Sequence, residues 1–295
     1  MPDNTTTDRV SVAKTHKLYI GGAFPRSESG RTYEATAADG SFLANMAMGS
    51  RKDVRDAVSV AWKAADGWAG RTAYNRGQIL YRIAEMIEGR RDQFIADVAA
   101  AEGLDRTAAA AEVDAAIDRW VWYAGWTDKI AQVFGNANPV AGPYFNVSTP
   151  EPTGVVAVIA PQESSLLGLV STIAPALAGG NVVVAVASQQ RPIPAVTLSE
   201  VLATSDVPAG VVNLLTGHTD ELAPVLASHM DVGAIDLTGA SAEQLVGLLE
   251  SAAGSTTRIV ARPSTVTSGT WHTPPTTARL RGALEVKTVW HPAGV

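Results

Sequence analysis

The sequence predicts an α/β fold: an open, Rossmann-type parallel sheet, preceded by a helical region and followed by a separate terminal strand. Three observations predict it. Short Val/Ile runs alternate with helical stretches from 154 to 262. Apolar residues recur at helical spacing between 50 and about 133. The last stretch, LEVKTVW, alternates with period two. Buried parallel strands read as continuous apolar runs, amphipathic helices repeat every 3.6 residues, and half-buried strands alternate.

Taken in order, residues 1–16 read as a loose tail. KLYIGGAFPRSESGRTYEA reads as two short strands around a turn, punctuated by Gly21, Gly22 and Pro25. Ser50 followed by Asp53 has the spacing of a capping box, and Val54, Ala57, Val58, Ala61 and Trp62 continue a helical stripe. Two further helices follow, with Ile79, Leu80, Ile83 and Ile87 on one face. A long Ala-rich helix is expected from about Arg106 to Val133, with Ile117, Trp120, Val121 and Ala124 as its core stripe. These segments make residues 17–131 one helical part. Residues 132–153, rich in Gly, Pro and Asn around YFNVS, read as an extended hairpin. The core follows at 154–262, with strands at GVVAVIAP, NVVVAVA, GVVNLLTG, GAIDLTGA and TTRIVAR. Residues 263–283 read as a Pro/Thr/Ser/Gly linker. Residues 284–295 hold the terminal strand, which needs a sheet to join; the 132–150 region or another subunit is the natural acceptor.

Composition excludes several functions. The 295 residues carry a net charge of −6, which argues against nucleic acid or an anionic membrane as partner. No apolar run approaches the roughly 18 residues of a bilayer span. The polar N-terminus shows no signal-peptide core, so cytoplasm is the expected location. There are no cysteines, hence no disulfide, no Cys-ligated metal and no thiol nucleophile. The five histidines lie outside any metal-binding spacing, so no metal site is expected. Neither phosphate-loop fingerprint is present, although the TGASAE turn could offer backbone N–H groups from Gly239 to Ser241 to an anion. Ser164 and Ser165 sit at a strand end, but no His or Lys is placed by sequence to activate them.

Several segments, in order, resemble the aldehyde dehydrogenase superfamily: KLYIGG, AVSVAWKAADGW, RGQILYRIAEMIE, WVWYAGWTDKI, EPTGVVAVIAP, IAPALAGGNVVV, PAGVVNLLTG, ASHMDVGAIDLTGA and LEVKTVW. The resemblance implies a nucleotide-binding domain, a catalytic domain and a β-flap that oligomerises subunits, with NAD(P) as cofactor. It also implies that a short linker stands between Arg262 and Leu284 in place of the catalytic domain. The 132–153 hairpin and the terminal strand then correspond to the oligomerisation element, with Tyr144, Asn146, Val286, Thr288 and Trp290 at the subunit interface.

The family's signature positions are altered. Its Pro-Trp-Asn-Phe-Pro becomes PQESS, with Glu163 in the place of the oxyanion-holding Asn. A carboxylate there opposes a developing oxyanion. Its Lys-Pro-Ala-Glu ribose clamp corresponds to Val186, Ala187, Ser188 and Gln189. Its Thr-Gly-Ser becomes Thr238, Gly239 and Ala240. Its Glu-Leu-Gly-Gly, which carries the general base, falls near Arg262 and Pro263. Glu163, Val186, Gln189, Gly239 and Ala240 are thus expected to line a vestigial pocket, with no catalytic residue and no tightly bound cofactor. The expected function is a non-catalytic subunit that assembles with a full-length aldehyde dehydrogenase, or self-associates, through the terminal strand. A residual nucleotide-binding module, or activity only within a mixed oligomer, is the alternative.

Overall fold

The computed structural model describes residues 12–263 and 271–293. Strands β1 (Thr15–His16), β2 (Thr32–Thr36) and β3 (Phe42–Ala47) form a small sheet in the order β1-β3-β2. This shortens the expected tail: Thr15 and His16 pair in parallel with Asn45 and Met46. Residues 1–11 lie outside the described residues. The strand expected at KLYIGG makes only isolated bridges, Tyr19 to Leu214 and Ile20 to Ala23. Gly21 and Gly22, both at positive φ, turn the chain before it can extend.

Helix α1 (Arg51–Ala69) opens on the expected capping box. Ser50 Oγ accepts from Asp53 N at 3.3 Å, and Asp53 Oδ2 accepts from Ser50 N at 2.8 Å. Helices α2 (Ala73–Glu88) and α3 (Arg91–Glu102) follow, with Ile79, Leu80, Ile83 and Ile87 buried. The single long helix expected next is two: α4 (Arg106–Ala124) and α5 (Ile130–Phe134), separated by a turn starting at Gly125. The core stripe of α4 is also shifted. Val113, Ala116, Trp120 and Tyr123 are buried, whereas Val121 is exposed. Neighbours on a helix point about 100° apart, so burying Trp120 turns Val121 outward.

Beyond β4 (Asn136–Asn138) and β5 (Tyr144–Pro152), the core alternates strand and helix: β6 (Val155–Ile159), α6 (Leu167–Ala178), β7 (Val182–Val186), α7 (Ile193–Leu202), β8 (Val212–Leu215), α8 (Thr219–Ala227), β9 (Val232–Asp236), α9 (Ala242–Gly254) and β10 (Arg258–Ala261). The five strands pair in parallel in the order β10-β9-β6-β7-β8. Every residue of β6, α6 and β7 is buried, as covering both faces of the sheet requires. Chain order reverses beside β6, so the switch point lies between β6 and β9.

The segment expected to be a free linker is docked where it is described. Trp271 is buried, and α10 (Ala278–Gly282) seats Leu280 in the core. Residues 264–270 lie outside the described residues. The terminal strand β11 (Leu284–Pro292) then pairs antiparallel with β5 along its whole length, Leu284 opposite Pro152 and Pro292 opposite Tyr144. The third sheet is therefore β11-β5-β4. Asn181 ties its root to the core, donating to Ala283 O at 2.9 Å and accepting from Gly154 N at 3.0 Å.

Candidate functional site

Ligands of a doubly wound sheet bind beyond the carboxyl ends of its strands, at the switch point. A crevice of about 370 Å³ lies there. Its walls come from the turns after β6, β7 and β9 and from the start of α8. Glu163, Gln189, Gly239 and Ala240 line it. Val186 does not. Its side chain is fully buried in the core, between Ile159 and Leu215 on the neighbouring strands.

Several polar groups of the crevice are hydrogen-bonded within the chain. Gln162 donates to Ala160 O at 2.8 Å and accepts from Gln189 N at 2.9 Å. Gln189 Oε1 accepts from Thr219 N at 3.2 Å, so it satisfies a donor of the first turn of α8. The anion cradle expected at residues 239–241 is closed. Gly239 N donates to Ile159 O at 2.9 Å, Ala240 N to Leu237 O at 3.0 Å, and Ser241 N to Gln244 Oε1 at 2.9 Å. Close packing makes Gly239 necessary: a Cβ there would stand 1.9 Å from Ala160 O. Neither Lys nor Arg lines the crevice among the described residues, whereas Glu163 and Asp220 do. Such a lining disfavours a pyrophosphate.

Sequence reasoning missed the groups on the far side of Glu163. Trp271 Nε1 donates to Glu163 Oε1 at 3.1 Å, and Arg191 donates to the Glu163 carbonyl. Asp236, at the end of β9, is 1% exposed; its Oδ2 accepts from Arg279 Nε at 2.9 Å. The only signal in the sequence was an acid ending a buried strand and a basic pair, Arg279 and Arg281, in an otherwise polar stretch.

Ser164 and Ser165 face carboxylates instead of a base. Ser164 Oγ donates to Glu112 Oε1 and Ser165 Oγ to Glu102 Oε1, each at 2.6 Å. Burial pushes the Glu102 carboxyl above its ordinary range, and the two Ser165 hydrogen bonds act against that shift. His272 Nε2 stands 3.0 Å from Glu112 Oε2. The carboxylate thus lies between Ser164 and His272, which is not the order of a Ser-His-acid relay. Among the described residues no cluster of three metal-ligating side chains forms, and no helix is long and apolar enough to cross a membrane.

The small sheet brings the other predicted residues together. Directly opposed residues of an antiparallel pair share a face. Trp290 opposes Asn146, and Thr288 and Val286 oppose Ser148 and Pro150, so Tyr144, Asn146, Val286, Thr288 and Trp290 share one face. Tyr144 and Trp290 meet edge to face at 5.8 Å. Thr288 and Ser148 exchange a hydrogen bond at 2.8 Å. Tyr144, Val286 and Trp290 are exposed, whereas Asn146 is buried and accepts from Asn138 Nδ2 at 2.7 Å. Asn146 therefore ties β4 to β5 from that face and is not itself exposed.

Comparison with known proteins agrees with this architecture. The model of the aldehyde dehydrogenase family matches residues 24–261. The mitochondrial benzaldehyde dehydrogenase of Antirrhinum majus is 33% identical over 233 residues, 76% of this chain and 42% of that protein. The mitochondrial aldehyde dehydrogenase of Rattus norvegicus is 31% identical over 249 residues, 81% of this chain and 46% of that protein. The NAD+ complex of the Bacillus cereus aldehyde dehydrogenase superposes with a TM-score of 0.80 at 26% identity, covering 84% of this chain and 50% of that one. The chain thus spans about half the length of the curated relatives it matches. On this match of sequence and fold, the chain belongs to the aldehyde dehydrogenase family.

Proposed function

We propose that this chain is a non-catalytic subunit that assembles with a full-length aldehyde dehydrogenase through the terminal strand β11, by its free edge and the side chains it exposes. The observation that carries this reading is the self-bonded crevice. The backbone donors at 239–241 and the carboxylate of Glu163 are each engaged within the chain. The 295 residues also hold no cysteine, so they lack the thiol that the family resemblance implies as nucleophile. Groups that act as a catalytic unit leave little activity when several are absent together.

The assembly half of the reading is supported by the small sheet. Val286 and Trp290 lie on β11, an edge strand of nine residues, and are 67% and 56% exposed. Exposed edge strands recruit a further strand by main-chain hydrogen bonds. The neighbour that fits is a subunit with the same β-flap geometry.

Two measurements test the proposal. The purified chain, given NAD and a panel of aldehydes, should produce no NADH. A tagged chain, co-expressed with a full-length aldehyde dehydrogenase of its own host, should carry that enzyme through purification. Turnover by the chain alone contradicts the first half, and recovery of the tagged chain alone contradicts the second. Calorimetry separates the nucleotide-module alternative: the account expects no heat with NAD, NADP or ATP.

A further inference from the structure

Arg279 and Arg281 flank Leu280 on α10 and meet different surroundings. Arg279 pairs with the buried Asp236. Arg281 lines a groove of about 680 Å³ between α10, α5 and the β11-β5 pair. The groove walls are apolar: Val133 and Phe134 come from α5, Pro150 from β5, and Leu284 and Val286 from β11. Pro150 and Val286 oppose each other across the antiparallel pair, so they share one face of the sheet. Val133 and Val286 are exposed. Covering such surface is favourable, at about fourfold in affinity for each methylene buried.

The charged lining is of one sign. Among the described residues Arg258 and Arg281 line the groove and no carboxylate does. Arg258 Nη2 reaches Glu285 Oε1 only at 3.7 Å, and both side chains are well exposed, so their pairing is weak. The Arg281 guanidinium lies over the Phe134 ring, 5.4 Å from its centroid, instead of against an acid. The ring orients the cation and leaves its charge unneutralised. A guanidinium fork takes a carboxylate by two parallel hydrogen bonds, and an apolar wall beside it takes a hydrocarbon chain. The volume lies within the range of small-molecule sites.

We infer that this groove is a binding site for an amphiphilic carboxylate, a straight-chain acid whose head is held by Arg281 and Arg258 and whose chain covers Val133, Pro150 and Val286. The site shares no residue with the strand-end crevice. It stands whether or not the chain assembles with another enzyme.

Isothermal titration of the full chain tests it, with decanoate, octanoate, decanol and decyltrimethylammonium as probes below their aggregation concentrations. The wild type should bind one decanoate per chain, and octanoate about tenfold more weakly for the two methylenes lost. Decanol and the ammonium should bind about tenfold more weakly than decanoate, or less. Arg281→Gln should weaken decanoate about tenfold or more and leave decanol unchanged. Arg71→Gln removes an exposed arginine outside the groove and should change neither. Val133→Asp, on the exposed wall, should weaken both. No heat with decanoate would overturn the site. Equal binding of decanol and decanoate, or decanoate binding unchanged in Arg281→Gln, would overturn the role of the arginines. Saturable binding of a polyglutamate peptide with none of decanoate would assign the groove to a protein partner and overturn the small-molecule site.

Discussion

Single residues decide what the crevice can hold. Val186 stands where the family resemblance places a lysine, yet its side chain is enclosed by the sheet. Replacing it with Lys, together with Gln189→Glu, should not restore NAD binding. The buried ammonium should instead destabilise the fold by about 3 kcal/mol or more, read by urea denaturation, with no heat on titration of NAD. Tight binding would show that the closed cradle at 239–241 opens on demand. Gly239→Ala drives a methyl carbon into Ala160 O and should cost about 3 kcal/mol or more. Glu102 gives a pH signature. Burial raises its carboxyl above the ordinary 4.5, so the folded chain binds that proton more readily than the unfolded one. Its contribution is fully present below about pH 4.5 and is lost as pH rises through the raised value. Glu102→Gln can still accept both Ser165 hydrogen bonds. Its stability relative to the wild type should therefore be higher at about pH 7 than at about pH 4; an equal difference at both would contradict the shift.

Elements differed in how openly the sequence wrote them. The core strands were legible because each is buried on both faces, and burial on both faces demands the continuous runs seen in VVAVI and VVVAV. The start of α1 was legible because Ser50 and Asp53 satisfy each other's backbone donors locally. The break at Gly125 was not, since Trp126 and Phe134 continue an apolar pattern across it by stacking on each other at 5.8 Å. The docking of residues 271–282 was hidden for a related reason. Its order comes from Asp236, Arg119 and Tyr123, which are 43 to 154 residues away along the chain. The terminal strand was legible by its alternation and found its expected acceptor, β5. At this scale, Val286→Glu or Trp290→Glu on the exposed face should leave the fold intact by circular dichroism. Either should abolish co-purification with a full-length enzyme, because an unpaired charge in an interface centre costs several kcal/mol.

At the scale of the whole molecule, the five-stranded parallel sheet and the β11-β5-β4 sheet are joined through the stretch that holds α10. At the ligand-binding end of the five-stranded sheet, Gln162, Gln189 and the backbone donors at 239–241 bond within the chain. The β11-β5-β4 sheet has an exposed, partly aromatic face. On the proposed function, the first arrangement removes a reason to bind nucleotide, and the second supplies a reason to bind protein. The altered signature positions and the absent cysteine, on which the proposed loss of catalysis rests, were legible in the sequence. It could not show that Gln189 and the backbone donors at 239–241 are engaged within the chain, which depends on tertiary contacts. The most direct test of the account is size-exclusion chromatography with light scattering on the chain mixed with a full-length aldehyde dehydrogenase of its host. The account predicts one co-eluting species heavier than either component, lost in the Trp290→Glu variant. Two separate peaks, with this chain running as a monomer, would contradict it.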